Sequence, residues 1–166
     1  MAEKKMYIAY GSNINLEQMA QRCPNAKVIG TAMLENYELE FRQVATVIPS
    51  DGSRCPVLVW EIDEQDEQSL DRYEGFPNLY RKEEFEVKLD DSVIKGMAYV
   101  MNGGQIFPPQ PHYYFGILEG YRANGIDTKY AEDALCRAFA ANISQGIGNE
   151  EPDCGIEETD SEMNMG

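Results

Sequence analysis

The stretch Tyr10-Gly11-Ser12-Asn13-Ile14-Asn15 holds the residues best suited to grip a small anion. Gly11 permits a sharp change of direction, Ser12 and Asn13 are small and hydrogen-bonding, and Asn15 stands where it can cap a helix. Tyr7 to Tyr10 reads as a buried strand, and the apolar positions Leu16, Met19, Ala20 and Cys23 recur at helical spacing. A strand entering a helix through such a turn offers successive backbone N–H groups as a seat for a carboxylate or phosphate. The same residues also suit a capped turn that holds nothing, and the turn alone does not separate the two.

Other chemistries are poorly served. Cys23, Cys55, Cys136 and Cys154 form no C-x-x-C pair, and His112 is the single histidine. A structural zinc needs four ligands, which this set supplies badly, and a Cys–His nucleophile would have to use His112 with no activating neighbour beside any cysteine. The 166 residues carry a formal charge of −15, which opposes a nucleic-acid or anionic-membrane partner. Seven of those charges fall in the stretch Asn149 to Gly166, which has no Lys or Arg, leaving −8 for the rest. That stretch reads as a disordered, solvated acidic tail after a single domain over residues 1–148. The absence of a basic-then-apolar leader and of any long apolar run points to a cytoplasmic chain with reduced thiols and no membrane span.

Around the turn, the pattern predicts strands over Ala26–Met33, Tyr37–Phe41, Val44–Ile48 and Pro56–Ile62, with a loop at Pro49-Ser50-Asp51-Gly52-Ser53. Asp63 is placed to cap a helix running to about Tyr73, which Glu74 and Gly75 close. A hairpin turning at Asp90-Asp91-Ser92 joins Tyr80–Leu89 to Val93–Met101. After a proline-rich crossing come two helices, Tyr113–Arg122 and one capped at Asp127 or Thr128. Core packing is expected for the helical aromatics, Tyr113 excepted. Six short strands with few helices predict an α+β domain whose antiparallel-rich sheet curls towards a β-barrel flanked by helices.

Four stretches, in order, resemble the γ-glutamylcyclotransferase family: YIAYGSNI (Tyr7 to Ile14), LDRYEGFPNLYRKEEFEV (Leu70 to Val87), AYVM (Ala98 to Met101) and FPPQPHYYFGILEGYRANGIDTKYAEDAL (Phe107 to Leu135). The likeness spans about residues 6–140 and is weakest between Phe41 and Val57. It implies a small β-barrel with helices around it and a site at one end. It also implies a cofactor-free reaction in which the α-amine of a γ-glutamyl compound attacks its own γ-carbonyl, giving 5-oxoproline and a free amine.

Carried over by that resemblance, Glu74 is the catalytic base. Its neighbours Tyr73, Phe76, Leu79 and Tyr80 are suited to desolvate it and raise its pKa. Tyr10, Gly11, Ser12, Asn13 and Ile14 would hold the glutamyl end, while Tyr80 and Tyr113 match the family's pocket tyrosines, Tyr80 only across a one-residue gap. The leaving amine stays open between an amino acid, a lysine ε-amine and an antibiotic amine. The family also leaves a homodimer open. Two other readings compete: a non-catalytic module binding a small carboxylate or a basic protein, and a regulatory protein acting through its acidic tail.

Overall fold

The computed structural model describes residues 3–145 and is α+β, as expected. Five strands form one sheet in the order β2-β3-β1-β5-β4. They are β1 (Lys5–Ala9), β2 (Lys27–Arg42), β3 (Val44–Ile62), β4 (Tyr80–Leu89) and β5 (Ser92–Met101). The helices are α1 (Leu16–Arg22), α2 (Glu64–Glu74), α3 (Pro111–Ala123) and α4 (Lys129–Gln145). Short β1 lies at the centre, antiparallel to β3 and parallel to β5. This explains its apolar run, since Tyr7, Ile8 and Ala9 are all buried.

The sheet is curled but not closed into a barrel: β2 and β4 end the order of strands and do not pair with each other. Tyr37 of β2 meets Phe85 of β4 edge-to-face with ring centres 5.1 Å apart, and Leu89 packs against Gly30. The six short strands predicted are also fewer and longer. Ala26–Met33 and Tyr37–Phe41 fall in one strand, β2, and the loop predicted at Pro49–Ser53 is a bulge inside β3. Asn36 takes a left-handed φ of 67°, and its Oδ1 accepts from the Gly52 N–H at 3.0 Å, so turn-forming residues here absorb a register shift instead of ending a strand.

Residues 1–2 and 146–166 lie outside the described residues, and with them the expected acidic tail and the domain end at 148. Cys23 and Cys55 are buried free thiols, whereas Cys136 is disulfide-bonded, so the expectation of reduced thiols holds for the first two only; Cys154 lies outside the described residues. Among the described residues no helix is long and apolar enough to cross a membrane.

Helix α4 buries Ala131, Ala134 and Ala138 but leaves Phe139 exposed, and Phe115 of α3 is likewise exposed, so core packing fails for those two aromatics. Tyr121 of α3 is fully buried, with no partner for its hydroxyl among the described residues. Tyr121→Phe is therefore expected to leave stability unchanged or raise it by about 1 kcal/mol, read from urea unfolding. A loss of that size would instead reveal a partner for the hydroxyl.

Candidate active site

The turn between β1 and α1 is a single 3-10 turn, Ser12–Ile14, and its first N–H groups have no partner within the turn. Gly11 precedes it, and a Cβ at Gly11 would stand 3.1 Å from the Ala45 Cβ, so a side chain there would press the turn away from β3. Asn15 caps α1, its side chain accepting from the Gln18 N–H at 3.0 Å. Helix α3 clamps the turn from behind. Asn15 Nδ2 donates to the Gly116 carbonyl (2.9 Å) and Asn124 Nδ2 to the Ile14 carbonyl (3.1 Å). Trp60 Nε1 of β3 donates to the Asn13 carbonyl at 3.0 Å.

Glu74 reaches the same place as the last residue of α2. A capping box opens that helix, with Asp63 and Asp66 each accepting from the other's backbone N–H. Gly75, at φ 70°, ends it in a Schellman motif, its N–H returning to the Arg72 carbonyl and that of Phe76 to the Asp71 carbonyl. Side chains dock the helix on the sheet. Lys82 of β4 bridges Glu67 (2.7 Å) and Asp71 (3.0 Å), while Tyr99 Oη of β5 donates to Asp71 Oδ1 at 2.6 Å. Asp71 lies one turn before Glu74, so these contacts also fix where Glu74 points.

The turn, α2 and the sheet enclose a cavity of about 210 Å3. Tyr10, Gly11, Ser12, Asn13, Glu74, Tyr80 and Tyr113 all line it, together with Tyr7, Val44, Ala45, Tyr73, Leu79 and Tyr99. Ile14 does not; its side chain is fully buried in the core. His112 is exposed and does not line the cavity. A larger open groove of about 840 Å3, between β2, β4 and the start of α4, lies away from these groups.

Glu74 is the one carboxylate lining the cavity among the described residues, and half-buried. Burial among the tyrosines pushes its pKa up to about 7, against the pull of the Arg22 cation. Asn13 Nδ2 donates to the Tyr7 hydroxyl at 2.8 Å and approaches Glu74 Oε2 at 3.5 Å. Desolvation raises Tyr7, Tyr10, Tyr80 and Tyr113 above the ordinary phenol value, so they stay neutral.

Their hydroxyls are not equivalent. Tyr10 spends its proton on the Tyr99 carbonyl and Tyr80 on the Ala45 carbonyl at 2.7 Å. Tyr113 instead accepts from the Ala45 N–H at 3.0 Å, which leaves its own proton to donate. The cavity thus brings together, among the described residues, one basic carboxylate, a phenol whose proton is left to donate, and the Gly11-Ser12-Asn13 turn, whose first N–H groups have no partner within the turn.

Tyr7, Tyr99, Ala45 and Arg22 received no site role from the sequence. Tyr7 sits three residues before Tyr10 at a strand end, and Tyr99 lies within AYVM; both carried a signal in their setting. Ala45 carried none, being small and acting through its backbone.

The family model described as "Gamma-glutamyl cyclotransferase, AIG2-like" matches residues 7–120. The Gamma-glutamylcyclotransferase of Homo sapiens is 29% identical over 163 residues, covering 90% of this chain and 86% of the relative. That of Mus musculus is 27% identical over 175 residues, covering 97% and 92%. A solved structure named "Gamma-glutamyl cyclotransferase" superposes with a TM-score of 0.73 at 29% identity, covering 80% of this chain and 86% of the other.

Proposed function

Since the chain belongs to the gamma-glutamyl cyclotransferase, AIG2-like family, we propose that it cleaves a γ-glutamyl amide with Glu74 as base, releasing 5-oxoproline and the amine. The observation that carries the residue assignment is the placing of one carboxylate, raised to about 7, beside the Gly11-Ser12-Asn13 turn in a cavity of about 210 Å3.

The nucleophile is tethered to its own target, so the protein has to fold the substrate back and manage protons. Glu74 takes a proton from the attacking α-nitrogen. That nitrogen forms its bond to the γ-carbon, and negative charge gathers on the carbonyl oxygen. The N–H groups at the start of the Ser12–Ile14 turn are the donors we assign to it. Protonated Glu74 then delivers its proton to the departing nitrogen as the amide bond breaks, and no water is consumed. Tyr113 offers a hydrogen-bond donor to the substrate, and Tyr80, its proton committed, can only accept. Nothing in these steps calls on a cofactor.

Because Glu74 must be charged to accept a proton, activity is expected to fall about tenfold per pH unit below roughly 7, with a plateau above. A pH–rate profile of 5-oxoproline release checks this, and a flat profile down to pH 5 would remove Glu74 from the role. The leaving amine is proposed to be an amino acid, a lysine ε-amine or an antibiotic amine. Incubation with γ-glutamyl amino acids, γ-glutamyl-ε-lysine and γ-glutamyl aminoglycosides, scoring 5-oxoproline and free amine in equal amounts, tests both the activity and the class. Turnover of none of them would favour the small-carboxylate binding module.

A further inference from the structure

Arg22, on α1, does not line the cavity, yet it touches both halves of the site. Its Nη1 donates to Asn13 Oδ1 at 2.5 Å and its Nη2 to Gln18 Oε1 at 3.0 Å. Its guanidinium carbon lies 3.7 Å from the centre of the Tyr73 ring, and the Tyr73 hydroxyl stands 3.1 Å from Ser12 Oγ. A primary amide can turn over about its last torsion, presenting either its oxygen or its NH2 to a neighbour. With its oxygen held by Arg22, Asn13 must turn the NH2 towards the Tyr7 hydroxyl and Glu74. Turned over, the same amide would set an oxygen against the Glu74 carboxylate and disfavour the form that accepts a proton.

We propose that Arg22 is a positioning residue of the reaction: it locks the Asn13 amide in the orientation that supports the Glu74 carboxylate, and braces Tyr73 against the turn. This rests on the cyclotransferase reading above. The planar fork suits the task, since it hydrogen-bonds in its plane while stacking on an aromatic face.

The charge of Arg22 acts in the same direction. The titratable groups lining the cavity with Glu74 are Tyr7 and Tyr10 at β1, Tyr73 of α2, Tyr80 of β4, Tyr99 of β5 and Tyr113 of α3, none of them a cation, and burial holds Tyr7, Tyr10, Tyr80, Tyr99 and Tyr113 neutral. Arg22 is then the cation that favours the charged form of Glu74. Its loss raises the Glu74 pKa, so activity is lost at higher pH than in the parent.

The test compares pH–rate profiles of 5-oxoproline release for the parent, Arg22→Gln and Arg22→Lys. Arg22→Gln is expected to lower the plateau kcat at least about tenfold, since small misplacements are costly in a positioned reaction, and to move the acid limb to higher pH. Arg22→Lys keeps the charge without the fork or the stack, so its limb should stay near that of the parent while its plateau falls. Arg22→Gln with the parent's plateau overturns the inference, whether or not its limb moves. Should the parent release no 5-oxoproline, the reading of function falls and this inference is judged without turnover. The side-chain amide resonances of Asn13 and the carboxyl titration of Glu74 should then both shift in Arg22→Gln, and unchanged signals overturn it. If Arg22→Gln fails to fold, Arg22→Lys is read alone, and a parental plateau rate or unmoved Asn13 amide signals count against the inference.

Discussion

Replacing Glu74 by Gln is expected to lower kcat for 5-oxoproline release by about 10²- to 10⁴-fold while the protein stays folded. Gln keeps the size and the contact with Asn13 but cannot take a proton from the α-nitrogen or return one. Stability should move the other way. The folded pKa of Glu74, about 7, lies above the usual carboxylate value of 4.5, so the fold resists charging it. That cost is absent below about pH 4.5, grows through the interval and is complete above 7. The Gln variant should accordingly be more stable than the parent at pH 8 by roughly 1–3 kcal/mol and equal to it near pH 4.5. Thermal melts at the two pH values check this. An active Gln variant, or one destabilised at pH 8, would contradict the role.

Gly120→Ala is the second large effect. Glycine inside α3 is a poor helix former, and alanine there would gain about 1 kcal/mol from propensity alone. The structure reverses the sign. A Cβ at this position would lie 2.7 Å from the Asn15 backbone nitrogen and 2.8 Å from the Ile14 carbonyl carbon, and neither is a side chain that can step aside. Either α3 backs away or the turn is pushed, with Ser12 and Asn13 at its front. The expected result is a net loss of about 1–3 kcal/mol in urea unfolding, together with a fall in kcat of up to about 10²-fold. A stabilised, fully active variant would mean that α3 does not hold the turn. Gly116 is a milder case, because the atom in the way is the end of the Gln18 side chain.

Much of the frame was legible where local chemistry and tertiary structure agree. Asn15 caps α1, Asp63 caps α2, Gly75 ends α2 and the Asp90-Asp91 hairpin joins β4 to β5, each where the sequence predicts it. The long β2–β3 ladder was not legible. Asn36, Pro49 and Gly52 carry turn signals but serve a bulge, and the real reversal, at Gln43 with φ 69°, has no glycine or asparagine to announce it. Phe115 and Phe139 fit a helical apolar pattern yet stay exposed, Phe115 meeting the neighbouring Tyr114 ring at 5.8 Å without entering the core.

For the site, adjacency in the chain decided what could be read. Tyr10 to Asn13 are contiguous and the resemblance to the family's motif singled out Glu74, whereas Ala45 and Tyr99 join the cavity from strands β3 and β5. Ile14 shares the segment with the lining residues but points into the core, because successive side chains of a 3-10 turn step round by roughly a third of a turn. The direction of each tyrosine hydroxyl was likewise out of reach, since it depends on which backbone group of Ala45 each one meets.

The measurement that tests the central claim most directly is product analysis of a γ-glutamyl amide turned over in 18O-labelled water. Ring closure by the substrate's own amine predicts unlabelled 5-oxoproline in amounts equal to the released amine, abolished by Glu74→Gln. Labelled glutamate in its place would show that water, not the tethered amine, is the nucleophile, and would contradict the account.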